Sequence, residues 1–236
     1  AVIDLGLSYG MAYTGIKNSE YMTAMARMKK PPVIDGTLSY GEWNKSMPML
    51  INNESQIRLQ PDWSGPDDLS AKIYCAYDED NFYIGAEVTD DVLYDEDELA
   101  RAWACDSIQF AFAKKNIASA VRTEYGIAMV NGVPKVDRYS FIGVNTGIIN
   151  EKDVETYEGV ELQVKREGSR TIYEAKFPWE QIYGEETDVT RLDEVYFSVL
   201  VNENDGAGRN GWLEYCGGIG DSKNAALFIP VTLDKK

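Results

Sequence analysis

Histidine is absent from the 236-residue sequence. Its absence excludes Ser-His-Asp and Cys-His catalysis, most zinc sites and any histidine-ligated haem. The motifs of a nucleophile elbow, a phosphate-binding loop and a metal triad are also missing. We therefore expect no zinc, no haem and no enzyme activity. One alternative stays open, because two suitably spaced carboxylates suffice for glycoside hydrolysis and the chain has 39 acidic residues.

Cysteine is scarce, since the chain has only Cys75, Cys105 and Cys216. An odd number of cysteines cannot pair fully, and their spacing matches no metal-binding motif. Cys75 alternates with core-facing residues of a predicted strand, which favours a buried free thiol. A disulfide between Cys105 and Cys216 is the alternative. Long apolar runs are missing too, so we expect no membrane span.

Positive charge is limited, because 23 Lys and Arg residues face 39 Asp and Glu residues and the net charge is −16. Nucleic acids and anionic membrane surfaces are bound mainly through Lys and Arg, so neither is an expected partner. Such acidity is typical of a soluble secreted protein, and cation binding is the alternative. The chain opens at Ala1 without a signal segment, and we expect a mature or excised fragment.

Strand-like alternation is the main pattern that is present. Residues 71–113 contain three runs with period two, which is typical of antiparallel strands with one face in a core. Turn residues at 78–81 join the first two runs into a hairpin. A capping-box spacing before Trp43 and a proline before Trp179 predict short helical turns with both tryptophans in the core. About ten to twelve strands without a long helix predict an all-β fold, an antiparallel two-sheet β-sandwich with one or two short helical turns.

Four sequence segments are informative together: VTDD at 88–91, WACDSIQF at 103–110, PPVIDGTLSYGEW at 31–43 and FSVLVNENDGAGRNGWLEY at 197–215. In this order they resemble family 9 carbohydrate-binding modules and their DOMON-like relatives. The resemblance implies a DOMON-like β-sandwich, immunoglobulin-like or jelly-roll-type, over residues 22–236. Residues 1–21 precede it, and we interpret them as an N-terminal extension or an extra edge strand.

The resemblance also implies a function. Family 9 modules are non-catalytic and are joined covalently to neighbouring domains of glycan-degrading enzymes. We therefore expect a carbohydrate-binding module of a larger secreted or cell-surface glycoside hydrolase. Its expected partner is a plant or bacterial polysaccharide or oligosaccharide. The alternative is a structural spacer β-sandwich of a multidomain surface protein that binds no sugar.

Trp103 is the leading candidate for sugar contact, because it lies on a polar loop directly before a strand, where a core tryptophan is less expected. The C–H faces of sugar rings stack on aromatic rings, while sugar hydroxyls need polar partners. The resemblance makes Trp103 one wall of a sugar slot and Gln109 a polar contact. Trp212, Asn204 and Arg209 complete the candidate ligand-binding residues, with Trp212 as a second wall if its strand is suitably oriented.

The sequence departs from the resembled family in two places. The family's second tryptophan is missing, because residues 217–228 hold no aromatic residue before Phe228. An Arg and an Asn expected on one strand are replaced by Gly126 and Ala128. These departures are the reason for keeping the spacer alternative.

Acidic loops are the second candidate site. Asp90 and Asp91 lie in one loop, and Asn202 and Asp205 lie in another beside a glycine. Calcium takes six to eight oxygen ligands of this kind, and the resemblance implies structural calcium. The EF-hand spacing is absent, so solvated acidic loops are the alternative.

Overall fold

The computed structural model describes residues 24–43, 46–59, 62–145, 157–185 and 187–234. The predicted extension over residues 1–21 lies outside these ranges. The described part contains two single-turn helices, α1 (Tyr40–Trp43) and α2 (Trp179–Tyr183), and no helix in it is long and apolar enough to cross a membrane. Its strands are β1 (Ala24–Arg27), β2 (Met49–Ile51), β3 (Ile57–Arg58), β4 (Leu69–Tyr77), β5 (Asn81–Asp90), β6 (Ser107–Ala113), β7 (Arg122–Val130), β8 (Val133–Phe141), β9 (Val144–Asn145), β10 (Glu161–Glu167), β11 (Arg170–Pro178), β12 (Glu194–Glu203), β13 (Gly211–Glu214) and β14 (Ile229–Leu233).

The strands follow one path of hydrogen-bonded neighbours, in the order β10-β11-β5-β4-β1-β14-β12-β6-β7-β8-β9. Strand β2 adds to β4, β13 adds to β12, and β3 adds to β13. The pairs are antiparallel except for those of β1, which runs parallel to both β14 and β4. The path thus has a first half around β4 and β5 and a second half around β6 and β12.

The predicted all-β fold is confirmed, whereas the division into two separate antiparallel sheets is not. Ala24 and Met25 pair with β14, and Ala26 and Arg27 pair with β4, so β1 crosses from one half to the other. Strand β10 also contacts β8, so the path nearly closes on itself. The alternation of a four-residue strand could not predict that it pairs with two different neighbours.

The core between the two halves is built from the inward-facing residues that the period-two pattern predicts. Phe82 of β5 and Phe112 of β6 meet edge to face, with ring centroids 4.9 Å apart. Phe110 of β6 and Phe177 of β11 meet in the same way at 5.1 Å. Each such pair stabilises the fold by about 0.5–1.5 kcal/mol beyond the area it buries, so these rings hold the halves together.

The three cysteines are free thiols in the structure. Cys75 is buried, which confirms the predicted buried thiol. The alternative disulfide between Cys105 and Cys216 is wrong, because the two side chains occupy different surroundings. Cys105 packs with Ala102 and Ala128, while the Cys216 thiol donates to the carbonyl of Phe197 at 3.4 Å.

The outward side of the first half is covered by the segment that contains α1. Trp43 is buried, as predicted, and its indole N–H donates to the carboxylate of Glu174 on β11 at 2.9 Å. The other oxygen of Glu174 accepts the backbone N–H groups of Asp35, Gly36 and Thr37. One buried carboxylate therefore fixes this segment onto the strands.

Strand β6 is buried along its whole length. A strand with only one face in a core would alternate between buried and exposed residues, so both faces of β6 are covered. Its inner face meets the phenylalanine core. Its outer face is partly covered by residues 217–228, where Ile219 and Phe228 pack against Ala111 of β6. The rest of this outer face carries the polar residues of the candidate site.

Candidate functional site

A chain of polar side chains crosses the outer face of the second half. The register places Leu200 of β12, Gln109 of β6 and Gly126 of β7 side by side. The Asn202 amide N–H donates to the Gln109 side-chain oxygen at 3.0 Å, and the Gln109 amide N–H donates to Glu124 at 3.4 Å. We name Gln109, Glu124, Tyr139, Asn202 and Arg209 the outer-face cluster.

Tyr139 reaches this cluster because β7 carries a glycine beneath it. A Cβ atom on Gly126 would lie 2.3 Å from the Tyr139 hydroxyl oxygen, so only glycine leaves the ring its place. The hydroxyl is buried and donates to no acceptor within the described residues. Burial, followed by the charges of Asp137 and Glu124, raises the pKa of Tyr139, so it stays a neutral phenol. The position where the resembled family led us to expect an arginine is thus filled by the hydroxyl of another strand.

Arg209 supplies the positive charge of the cluster. Its guanidinium carbon lies 4.5 Å from the centroid of the Trp212 ring, which supports it by a cation–π contact. Its Nε and Nη2 atoms are buried and have no hydrogen-bond partner. Burial lowers the pKa of Arg209, although it remains a cation at neutral pH. This guanidinium therefore has two donors that no described residue accepts.

The outer-face cluster contains three groups whose hydrogen bonding is incomplete: the Tyr139 hydroxyl, the Asn202 side-chain oxygen and the Arg209 guanidinium. Leaving a buried polar group without a partner costs about 1–3 kcal/mol. The charge of Glu124 acts on both Tyr139 and Arg209, so these groups belong to one place. Donors and acceptors kept in this state are suited to a ligand that carries several hydroxyl groups.

Trp103 lies beside this cluster on a 3-10 turn formed by Ala102–Ala104. It is half-buried, and the Arg101 guanidinium lies 4.8 Å from its ring centroid. Arg101 is itself held by Asp97, with nitrogen–oxygen distances of 2.6 and 3.0 Å. The N–H of Ala102 donates to Asp137 of β8 at 2.7 Å, which anchors the turn. The ring is therefore supported on one side by Arg101, and the backbone of Trp103 lies near the Tyr139 hydroxyl.

Trp212 is not available as a second wall. It is only 3% exposed, and a Cβ atom on Gly220 would lie 2.3 Å from its ring, so the chain at Gly220 lies directly on it. Its indole N–H donates to Glu214 at 3.1 Å. The structure thus corrects this prediction: Trp212 supports Arg209 from beneath. The segment over it brings Lys223 to Glu124, where the two side chains form an ion pair.

Asn204 is also used within the protein. Its amide N–H donates to the carbonyl of Ala104 at 2.6 Å, and its side-chain oxygen accepts the N–H groups of Gly206 and Gly208. With 2% exposure it has little surface for a sugar. Its place in the structure is between the Trp103 turn and the loop that leads to Arg209.

A second cluster lies at one end of the core, where Asp90, Asp106 and Glu203 have carboxylate oxygens within 4.8 Å of one another. These three residues are 1%, 4% and 0% exposed. The alternation that buries Val88 and Val201 continues by two residues to Asp90 and Glu203. We name Asp90, Asp106 and Glu203 the carboxylate cluster.

Burial and mutual repulsion act strongly on these acids. Burial, together with the charges of neighbouring carboxylates, raises the pKa of Asp90 to about 7, of Asp106 to about 8 and of Glu203 to about 10. Neither side-chain oxygen of Glu203 receives a hydrogen bond. Three buried carboxylates at this distance need protons or a cation to compensate their charge. Hard oxygen donors of this kind fit calcium.

The structure brings together only part of the predicted metal ligands. Asp90 belongs to the carboxylate cluster. Asp91 and Asp205 are exposed, although the charge of Asp205 still reaches Glu203. The structure does not bring Asn202 to the carboxylate cluster, because its side chain lies on the outer face and donates to Ser107 and Gln109. Asp106 and Glu203 are not among the predicted ligands, although their alternation with core residues is a signal in the sequence.

Comparison with known proteins relates the chain to one family and to solved structures of the same fold. A family model described as "Carbohydrate family 9 binding domain-like" matches residues 34–236. The chain is also similar to a family 9 carbohydrate-binding module from Caldicellulosiruptor kristjanssonii solved in complex with glucose, with 18% identity, a TM-score of 0.60 and coverage of 92% of this chain and 96% of that one. For the cellotriose complex the values are 19%, 0.60, 91% and 94%. No curated protein sequence matches the chain.

Proposed function

Since the chain belongs to the carbohydrate family 9 binding domain-like family, we propose that it binds carbohydrate without cleaving it, at Trp103 and the outer-face cluster. The observation that carries the proposal is a half-buried tryptophan beside buried polar groups whose hydrogen bonding is incomplete. A sugar ring can satisfy both the tryptophan face and the incomplete hydrogen bonding of this site. Its C–H face covers an indole ring, and its hydroxyl groups both donate and accept hydrogen bonds.

The residues divide between stacking and hydrogen bonding. Arg101 supports one face of Trp103, which leaves the opposite face for the sugar. Arg209 donates to sugar oxygens, while Asn202 and Tyr139 have an acceptor and a hydroxyl without partners. Gln109 connects them through the hydrogen-bonded chain across the outer face. With one aromatic wall in place of two, stacking holds the sugar from one side.

The wider setting is proposed on the same basis. A site with one aromatic wall binds weakly, which suits a module that keeps a linked catalytic domain near its polysaccharide. We infer that the chain serves a secreted or cell-surface glycoside hydrolase in this way, in a sandwich-like fold of two packed halves. Related modules have been solved with glucose and cellotriose, so glucose-based oligosaccharides are the first ligands to examine.

Calcium is the cofactor we propose, in the carboxylate cluster. Its six to eight oxygen ligands would include the side chains of Asp90, Asp106 and Glu203. A bound calcium ion supplies positive charge and takes no part in bond cleavage. Its role in this fold is to hold three acidic strand ends together.

Binding of cellotriose, xylan, mannan and pectin to the protein tests the proposal, with calorimetry for the soluble ligands. We expect Trp103→Ala to weaken binding of the retained glycan about tenfold or more, or ~1.4 kcal/mol, because the stacking surface is lost. Tyr40→Ala is the matched control, since Tyr40 is an 88% exposed aromatic residue on α1.

Two results would contradict the proposal. Equal glycan affinity of Trp103→Ala and the native protein would remove Trp103 from the site, and absence of binding to every glycan would favour the spacer alternative. Reducing sugar released during prolonged incubation would show that the chain is catalytic.

A further inference from the structure

We propose that a divalent cation held by Asp90, Asp106 and Glu203 fixes the two loops that carry Trp103 and Arg209, so that cation binding and glycan binding strengthen each other. This inference rests on the proposed function and adds a regulation to it. The relevant loops are residues 91–105, between β5 and β6, and residues 204–210, between β12 and β13.

Asp106 is the residue that touches both loops. It follows Trp103 by three positions and directly precedes β6. One of its carboxylate oxygens accepts the N–H of Tyr94 at 2.5 Å, and the other accepts the N–H of Asn204 at 2.8 Å. Any change in the position of this carboxylate therefore moves backbone atoms of both loops.

Asn204 extends the connection to the two sugar-contacting residues. Its N–H groups join the Asp106 carboxylate and the carbonyl of Ala104, the residue after Trp103. Its side-chain oxygen accepts the N–H groups of Gly206 and Gly208, which shapes the loop immediately before Arg209. A continuous series of hydrogen bonds thus leads from the carboxylate cluster to both sides of the proposed sugar site.

The cluster has one adjustable member. Asp90 is the last residue of β5 and pairs with Leu69 of β4, and Glu203 is the last residue of β12 and pairs with Gly211 of β13, so strand pairing holds both. Asp106 stands before the first residue of β6 and is held mainly by the loops. Without a cation, no common centre holds the three oxygens together, and Asp106, which lies outside the strand pairing, is the member that can move with the loops.

Calcium is the cation that fits. Oxygens on opposite sides of calcium are about 4.6–5.2 Å apart, and those on magnesium about 4.0–4.2 Å apart. The cluster oxygens lie within 4.8 Å of one another, so a single calcium ion can contact all three, and calcium tolerates the irregular ligand geometry of such a site better than magnesium. Within the described residues neither oxygen of Glu203 accepts a hydrogen bond, and one of them lies with the oxygens of Asp90 and Asp106.

The test measures calcium and cellotriose binding to the whole chain by calorimetry, after the protein has been freed of metal with EDTA and dialysed. We expect one calcium ion per chain, a higher unfolding temperature with calcium, and about tenfold tighter cellotriose binding in its presence. Linkage requires calcium to bind tighter by the same factor when cellotriose is present. Magnesium at the same concentration is expected to have a smaller effect.

Glu203→Gln removes one ligand charge while keeping the side-chain shape. We expect it to lose calcium binding and to bind cellotriose with an affinity that calcium no longer changes. Asp80→Asn is the control, because it removes one exposed acid in the turn at the opposite end of β5. If Glu203→Gln does not fold, Asp90→Asn takes its place. The comparison of the native protein with and without calcium tests the linkage without any variant.

The outcomes separate the proposals. Calcium binding with unchanged cellotriose affinity overturns the linkage and leaves carbohydrate binding intact. Failure of calcium to bind overturns the cation site and indicates that protons neutralise the cluster. If cellotriose and every other tested glycan fail to bind in either condition, the proposed function and the linkage both fail. In that case, amide hydrogen exchange still measures whether calcium fixes the loops. Equal protection of residues 91–105 with and without calcium would overturn this claim as well.

Discussion

Gly126 shows how one missing side chain shapes the outer face. The Tyr139 hydroxyl occupies the space that a Cβ atom at position 126 would need, with only 2.3 Å between them. Gly126 stands where an arginine was expected. Because it has no side chain, the phenol of Tyr139 on β8 can reach the outer-face cluster. The identity of the group above Gly126 follows from the strand pairing of β7 with β8 and from the bulge beside Tyr125.

We predict that Gly126→Ala lowers the free energy of unfolding by about 1–3 kcal/mol, because the added methyl group forces the buried Tyr139 ring out of position. Glycan affinity should fall with it. Thermal or urea unfolding and calorimetry measure the two effects. Gly41→Ala is the control, since a Cβ atom there meets nothing within 4 Å.

The double variant Gly126→Ala/Tyr139→Phe distinguishes this cause from a general loss of sheet stability. Removal of the hydroxyl oxygen removes the closest contact, so part of the lost stability should return. If the double variant is as unstable as the sum of both single variants, the clash is not the reason.

At the scale of single elements, the ends of strands matter most. Three strands that bury apolar residues in their middle have an acid at one end, and these ends meet in the carboxylate cluster. Strand β11 has a comparable feature on its outward side, where Glu174 fixes residues 35–37 and Trp43. Burial raises the pKa of Glu174, and its hydrogen bonds oppose that rise. Buried carboxylates therefore perform two different tasks in this fold: Glu174 is fully hydrogen-bonded, whereas Glu203 of the carboxylate cluster accepts no hydrogen bond from the described residues.

We predict that Glu174→Ala destabilises the protein by about 3 kcal/mol or more, since it leaves three backbone N–H groups and one indole N–H without their acceptor. Urea unfolding measures the change. Glu161→Ala is the matched control on neighbouring β10, where an exposed ion pair with Lys176 contributes less than about 1 kcal/mol. Similar losses in the two variants would contradict the role assigned to Glu174.

At the scale of the whole molecule, packing between the two halves of one strand path stabilises the fold. No disulfide contributes, because all three cysteines are free. The described core joins β5 and β11 of the first half with β6 and β12 of the second. The three thiols are free, and burial raises the pKa of Cys105 to about 12 and of Cys216 to about 11. Both are therefore protonated and unreactive at neutral pH.

We predict that the unfolding temperature is the same with and without dithiothreitol, because reduction removes no bond. Thiol titration of the denatured, unreduced protein should give three thiols per chain. A lower unfolding temperature in dithiothreitol, together with one thiol per chain, would contradict the free state of the cysteines.

The sequence alone determined the features that depend on neighbouring residues along the chain. Alternation with period two predicted the hairpin of β4 and β5, the inward phenylalanines and the buried Cys75. It also led to the family, through segments that keep their order from residue 31 to 215. These features are local, because a strand sets the face of each side chain by its own geometry.

The tertiary structure decided what depends on which strands become neighbours. Only the strand pairing shows that β1 joins both halves, that Gly220 covers Trp212, and that Asp106 and Glu203 meet Asp90. The same holds for Tyr139 above Gly126. Residues far apart in sequence meet through long-range pairing, and no local pattern contains the distance between them, so the site emerged only once the strands were placed side by side.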